Sequence, residues 1–346
     1  MIERLHLHEI EVRFSEPLVT PDGVILSRRS ILVGAEAEGL IGWGEAPAFP
    51  SRTWGTADAA WDALERPGVL HGEAPLTPIA SAALQAAASD LEARLAGVPL
   101  HRQLGAEAHP IGARYTIGLM EDPADLVDRV RRLRATGMSA IKVKIRPGWD
   151  SVHIAAVRNA FPTIDISVDA NATYRDPEDP VFEALAEARV GLIEQPFPTH
   201  DLASHAALRR RKVLSVCLDE AIRSRGDARQ IISAKAADVL SVKVNRLGLE
   251  AGLAILELAF AEGIGVKVGG TFDTSIGRRL LLGFAMLGGV IDAEIAPPSG
   301  YLESDIADYP EPIRGQIRPD DRPGIGVDPD HERLADLEVR RTVVGG

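Results

Sequence analysis

Five charged residues stand at nearly equal intervals along the middle of the chain: Lys144, Asp169, Glu194, Asp219 and Lys243, with successive gaps of 25, 25, 25 and 24 residues. Each closes a short apolar run, so each is placed at the carboxyl end of a predicted strand. One acid in such a place is usually a helix N-cap or a solvated loop charge. Five on one period, three acids flanked by two lysines, read better as one position repeated on consecutive units. Three carboxylates brought together repel unless a cation neutralises them. With oxygen donors and neither His nor Cys on the period, the expected cation is Mg²⁺, with Mn²⁺ as the alternative, rather than zinc. The third acid is locally ambiguous, because Asp219 is followed by Glu220. Spacing favours Asp219, and strand alternation predicts that Glu220 points elsewhere.

Lys142 and Lys144 alternate on one strand and so face the same side. An ammonium beside a second cation and a metal loses proton affinity, which turns a lysine into a general base near neutral pH. In a ring of eight strands Lys243 lies nearly opposite Lys144, and the two reach opposite faces of one α-carbon. The chemistry this predicts is proton abstraction next to a carboxylate, with the metal stabilising the enediolate. Gly269-Gly270 ends a later strand; it either lets backbone approach a bound ligand or simply makes a tight turn. Other candidates weaken on inspection. A calcium loop starting at Asp169 fails at Tyr174 and Pro180, where it needs Gly and Glu. No HExxH occurs, no histidine falls on the period, Cys217 reads as inert core, and Arg209–Lys212 as a solvated helix end.

The elements that must position these residues begin at about Ile111. Apolar runs at Ala113–Leu119, Ala140–Ile145, Ile164–Val168, Val190–Ile193, Val213–Leu218, Val239–Val244, Ile264–Val268 and Val290–Ile295 predict eight strands. Amphipathic stretches such as Pro123–Ala135, Trp149–Ala160, Pro180–Ala188 and Ala251–Ala261 predict helices between them. That alternation is the texture of a (β/α)₈-type barrel, whose chemistry gathers at the carboxyl ends of its strands. A doubly wound open sheet is the rival, but neither GxGxxG nor GxxxxGK[ST] occurs. The first hundred residues differ. Strands at Ile10–Phe14, Ser30–Gly34 and Leu40–Trp43 precede helices at Ala57–Leu64 and Ala80–Leu95, with SEPLVTPDG read as a polar loop, which predicts a small α+β domain.

Composition sets the outer bounds. The chain has 346 residues, 45% hydrophobic and 25% charged, with a formal net charge of −12, so disorder and a dominant basic surface for nucleic acid are excluded. One cysteine excludes a disulfide framework and any CxxC site. Met1–Ile10 lacks the apolar core of a signal peptide, and Leu280–Ile291 is too short to span a bilayer. A cytoplasmic protein with no membrane partner is the expectation.

KVKIRPGWD (Lys142–Asp150), VDAN (Val168–Asn171), IEQP (Ile193–Pro196) and CLDE (Cys217–Glu220) resemble the enolase superfamily, in its muconate lactonizing enzyme subgroup. KIRPGWD, GGTFDTSIGR (Gly269–Arg278), YLESDI (Tyr301–Ile306) and PGIGVDPD (Pro323–Asp330) are similar to the branch of o-succinylbenzoate synthases and N-acylamino acid racemases. The resemblance implies a (β/α)₇β modified TIM barrel with an α+β capping domain. Residues 1–110 would form the cap, completed by a tail of about 310–346, and 111–309 the barrel. It implies that Asp169, Glu194 and Asp219 bind Mg²⁺, that Lys144 is the base, Lys243 its counterpart and Lys142 a support, and that Gly269, Gly270, Asn171 and Asp273 lie against substrate. The implied activity is a synthase-type lyase, eliminating water from 2-succinyl-6-hydroxy-2,4-cyclohexadiene-1-carboxylate in menaquinone biosynthesis. Its alternative is an N-acylamino acid racemase or dipeptide epimerase using the same lysines. Muconate cycloisomerase ranks third, and a catalytically silent barrel acting as a binding protein is the reading from another class. The partner in the enzymatic readings is a small carboxylate, and enzymes of this kind are often homo-oligomers. The chain departs from the branch's usual pattern at Val244-Asn245-Arg246 (commonly Pro-Gly-Arg), at Asp273 (commonly Glu) and at Ala296–Ser299. Cap loops at Glu16–Gly23 and Phe49–Gly55 are expected to close over the mouth.

Overall fold

The computed structural model of the protein describes residues 2–21, 23–49 and 55–345. Three antiparallel strands open the chain, β1 (Arg4–Thr20), β2 (Gly23–Ala37) and β3 (Leu40–Pro47), followed by α1 (Ala57–Leu64), α2 (Pro78–Leu95) and α3 (Leu100–Gln103). The segment expected as a polar loop is mostly strand. After a register shift beyond Arg13, β1 pairs again through Leu18–Ile25 and Val19–Val24. Leu18 and Ile25 are both buried in the core, which favours the extra pairing. Pro17, which has no N–H, falls inside the irregularity where no ladder bond is needed. Residues 50–54 of the second expected cap loop lie outside the described residues. The alanines of α2 are explained by contact: Ala83 and Ala87 face Gly42 and Gly44 so closely that a Cβ on either glycine would strike the helix backbone.

A short strand, β4 (Ile111–Gly112), leads into regular alternation: β5 (Arg114–Ile117), α4 (Pro123–Ala135), β6 (Ala140–Lys144), α5 (Ser151–Ala160), β7 (Asp165–Asp169), α6 (Val181–Glu187), β8 (Leu192–Glu194), α7 (Leu202–Arg211) and β9 (Ser215–Leu218). It continues with α8 (Arg225–Ser233), β10 (Val239–Val242), α9 (Val244–Leu247), α10 (Leu249–Ala261), β11 (Gly265–Val268), α11 (Ser275–Ala285) and β12 (Val290–Ala293). Strands β5 to β12 form one eight-stranded parallel sheet in sequential order, the (β/α)₇β arrangement expected from the sequence. Side chains close its seam. Arg114 on β5 donates to Asp292 on β12 and to Asp165 on β7, each at 2.7 Å, and the Tyr301 hydroxyl accepts from the Thr116 amide at 2.7 Å. Helices begin where small polar side chains cap them: Asp122 for α4, Ser224 for α8.

The tail supplies β13 (Gln316–Ile317), which pairs with β4, then α12 (His331–Leu337) and β14 (Glu338–Val344), which pairs with β1 in the order β14-β1-β2-β3. One apolar cluster fills the barrel and its contact with the N-terminal sheet; a second lies between that sheet and α1–α2. Among the described residues no helix is long and apolar enough to cross a membrane.

Candidate active site

The spacing of 25 is the register of the sheet. Lys144 pairs with Asp169 across β6–β7, and Asp169 with Glu194 across β7–β8. Asp219 and Lys243 each stand one residue beyond the ends of β9 and β10. All five therefore gather at the carboxyl-terminal mouth, buried. Lys144 and Lys243 retain 9% exposure each, against 3% for Lys142 and 0% for Lys267, so these two are the ammonium groups nearest to open space.

The two sides of the mouth are built alike. Lys144 Nζ donates to Asp169 Oδ2 at 2.9 Å and to Asn171 Oδ1 at 2.5 Å. Across the ring, Lys243 Nζ donates to Asp219 Oδ2 at 2.5 Å. Between them Glu194 is held from below: Lys142 Nζ lies 3.2 Å from both its oxygens, and Lys267 Nζ donates to Oε2. Burial raises the Glu194 carboxyl above the usual range, with Asp169 and Glu294 adding to that against the two lysines. Burial also opposes charge on Asp169, but Lys144 and Lys142 outweigh it and hold that carboxyl well below the usual range. For Lys142 and Lys243 burial pulls downward and the surrounding carboxylates prevail, so both stay above the ordinary lysine value.

Backbone strain marks the same rim. Asn171 (φ 41°) and Ala172 (φ 62°) follow β7, Gln195 (φ 39°) follows β8, and Phe272 (φ 57°) follows β11. Left-handed non-glycine residues persist only where the surroundings compel them. Asn171 is compelled by its bonds: its amide donates to Asp169 Oδ1 at 3.1 Å and its Nδ2 to Glu220 Oε1 at 2.7 Å.

One expectation needs correcting. Glu220 does not point away; it is bonded to Asn171 beside the acids, and burial with Asp219 and Asp169 pushes its carboxyl up to about 7. Gly269 and Gly270 stand where a larger residue would meet protein. A Cβ at Gly269 would lie 2.8 Å from Lys243 Cγ and from Ser241 Oγ, and one at Gly270 2.9 Å from Arg278 Nη1. Asp273 is fully buried, and its carboxylate is taken by Thr271 and Asn245 instead of facing the mouth.

Other residues of the site were not anticipated. Lys267 on β11 bridges Glu194 and Glu294, and Glu294 also pairs with Lys142. The signal was present, since Lys267 falls 24 residues after Lys243 and extends the period. Gln195 is equally telling: its Oε1 accepts from the amides of Asp219 at 3.1 Å and Ala221 at 3.2 Å, and its Nε2 donates to Phe197 O at 3.0 Å. One buried amide thereby fixes the turn that presents Asp219. His205 Nε2 accepts from Phe197 N at 3.4 Å, and burial lowers this imidazole's pKa below its ordinary value.

The donor set suits a hard divalent cation in type and place: three buried carboxylates at one end of consecutive strands, with Glu220 Oε2 buried beside them without a partner. Among the described residues, three such side chains do not yet converge on one point. Each acid is turned toward a lysine.

A family profile described as Enolase C-terminal domain-like matches residues 125–333, which span β6 to β12 and all five periodic residues. The chain belongs to the enolase superfamily. Within the superfamily it is 33% identical to an o-succinylbenzoate synthase of Geobacillus kaustophilus, over 96% of this chain and 95% of that protein. It is 31% identical to an N-succinylamino acid racemase of Thermus thermophilus, over 94% of each. A solved superfamily member from Listeria innocua superposes with a TM-score of 0.90 at 26% identity, covering 99% of this chain and 98% of the other.

Proposed function

We propose that this superfamily enzyme is an o-succinylbenzoate synthase-like lyase, eliminating water from 2-succinyl-6-hydroxy-2,4-cyclohexadiene-1-carboxylate. The observation that carries the reading is the pairing of two mouth lysines with the two outer members of a carboxylate row: Lys144 on Asp169, Lys243 on Asp219. Asp169, Glu194 and Asp219 would hold a Mg²⁺ ion, or Mn²⁺ in its place, which supplies positive charge against the charge that develops on the substrate carboxylate.

Lys144, in its neutral form, takes the α-proton; Asn171 Oδ1 and Asp169 orient its amine and stabilise the ammonium that results. Lys243 Nζ on the opposite side stabilises negative charge as it builds. The C–H electron pair enters the ring, the C–O bond breaks on the same face, and hydroxide leaves as water with the proton that Lys144 had taken, which gives an aromatic product and returns Lys144 to its neutral form. Lys142 and Lys267 oppose the effect of burial on Glu194 and hold its carboxyl group in place beneath the reacting atoms.

The near-symmetry of the lysines also favours a second reading, an N-acylamino acid racemase in which they serve opposite faces of one α-carbon. A dipeptide epimerase is less favoured: the Asp-x-Asp pair usual near the eighth strand of such enzymes is here Asp292-Ala-Glu294, and Asp292 is engaged by Arg114, Glu294 by Lys142 and Lys267. A silent barrel would have no need of five buried charges aimed at one mouth. The proposed organisation is a cap of residues 1–110 with the tail of about 310–346, over a barrel of 111–309.

The test is a side-by-side assay of the purified protein with the cyclohexadiene carboxylate and with an N-succinyl amino acid. Faster dehydration of the first is expected. Racemisation alone would replace the lyase reading with the second, and neither reaction would overturn both.

A further inference from the structure

Lys243 is the first residue of a short polar chain that ends in the N-terminal sheet. It caps α9, with the amides of Arg246 and Leu247 donating to its carbonyl at 3.0 and 2.9 Å. Two residues on, Asn245 is 1% exposed, and its Nδ2 donates to Thr271 Oγ1 at 2.6 Å and to Asp273 Oδ1 at 2.5 Å. Asp273 accepts in addition from the Thr271 amide at 2.9 Å and the Thr271 hydroxyl at 2.6 Å. The same loop touches Lys243 directly, because Gly269 packs on its aliphatic stem. The loop is fastened from the other side as well. Arg28 of β2 donates to Thr271 O at 2.6 Å and pairs with Glu45 of β3, and Glu45 accepts from the Thr274 amide at 3.1 Å and its hydroxyl at 2.7 Å.

We infer that Asn245 and Asp273 are positioning residues for Lys243, clamping its turn to the loop 269–274 so that its ammonium is aimed at one face of the substrate. The side-chain donors of Asn245 and Thr271 are all used. The two Asn245 N–H groups go to Thr271 and Asp273, and the Thr271 hydroxyl proton goes to Asp273. A buried network of this kind favours one geometry even though Asn245 Oδ1 itself has no partner, and losing the Asn245 donors leaves the buried Thr271 and Asp273 oxygens short of a bond. Nothing comparable ties Asn245 to Lys144, whose orientation is set by Asp169 and Asn171. The effect of breaking the clamp is therefore confined to one side.

This inference rests on the two-lysine reading, and the experiment separates the two. Exchange of the α-proton with D₂O is followed by NMR for N-succinyl-L-phenylalanine and N-succinyl-D-phenylalanine separately, in the presence of Mg²⁺. Lys144→Ala and Lys243→Ala first assign which enantiomer presents its proton to which lysine. Asn245→Ala is expected to slow exchange on the Lys243 face about 10-fold or more while the Lys144 face keeps its rate within about 3-fold. The exchanged pair Asn245→Asp with Asp273→Asn, which can rebuild the hydrogen bond in the opposite sense, is expected to recover most of the lost rate and serves if the single variant folds poorly. Equal loss on both faces, or no loss in Asn245→Ala, would overturn the clamp while leaving the lysine assignments intact. Exchange that survives on both faces in Lys243→Ala would remove the two-lysine reading and the clamp with it. If the wild type exchanges neither enantiomer, the racemase reading falls, and the clamp is judged on dehydration of the cyclohexadiene carboxylate, where an Asn245→Ala kcat within about 3-fold of wild type would overturn it.

Discussion

Lys267 has no exposure and touches two carboxylates, so its removal asks more of the molecule than the removal of a surface charge. Lys267→Met would leave Glu194 and Glu294 buried with Lys142 as their shared counter-charge. Loss of one partner from a buried ion network costs about 3–5 kcal/mol, and urea unfolding is expected to show a loss of that order. Adding Glu294→Leu should return part of it, because the second unpaired charge is then gone. Gly269→Ala acts differently. Its new Cβ meets the stem of Lys243, and the lysine can yield only by shifting its amine. A fall of about 10-fold or more in kcat, with a small change in stability, is the expected outcome of steady-state assays with the cyclohexadiene carboxylate. At this scale the sequence was legible where type and spacing coincide, as for Asp169 or Lys243. It was illegible one layer down. Lys267 keeps to the spacing but sits inside β11, and Glu294 stands just beyond β12; in neither place does a charge carry a local signal of its partner across the barrel. The place of Asp273 near substrate comes from resemblance alone, and its bonds to Asn245 and Thr271 are set by tertiary packing that no local pattern announces.

Elements are joined by a few buried polar hubs, and Asp90 of α2 is the clearest. Its carboxylate accepts from Trp43 N of β3 at 2.7 Å, from Ile325 N of the tail at 2.6 Å and from Arg94 Nε at 2.9 Å. Asp90→Ala would strand two buried amides, and a loss of about 3 kcal/mol is expected by calorimetry or denaturant melts. Burial pushes the Asp90 carboxyl up to about 6, against the pull of Arg94 and the two amides. With the folded value above an unfolded value of about 3.9, this group's contribution is complete below the unfolded value and is lost as pH rises through the folded one. Wild type should therefore gain on Asp90→Asn as the pH is lowered from neutral toward about 4.5, and melts at several pH values check the sign. Barrel strands and helices were readable because short apolar runs alternate with amphipathic stretches, and Ala57–Leu64 and Pro123–Ala135 are helices over the expected residues. The long hairpin β1–β2 was not readable. Proline and glycine near its tip announce a loop, whereas burial of Leu18 and Ile25 extends the pairing past them.

For the whole molecule, the net charge of −12 includes acids that are not surface at all. Asp169, Glu194, Asp219, Glu220 and Glu294 lie inside the mouth, facing Lys142, Lys144, Lys243 and Lys267, so the site keeps an excess of carboxylate for a divalent cation to offset. The return of the tail as β14 beside β1 means that both ends of the chain are built into the sheet that lies over the barrel. The direct test of a metal-assisted, lysine-driven reaction is turnover of the cyclohexadiene carboxylate by the wild type and Lys144→Ala, each before EDTA, after EDTA and after Mg²⁺ is restored. Wild-type turnover should vanish with EDTA and return with Mg²⁺, while Lys144→Ala stays inactive throughout. Turnover indifferent both to EDTA and to Lys144→Ala would contradict the account at its centre.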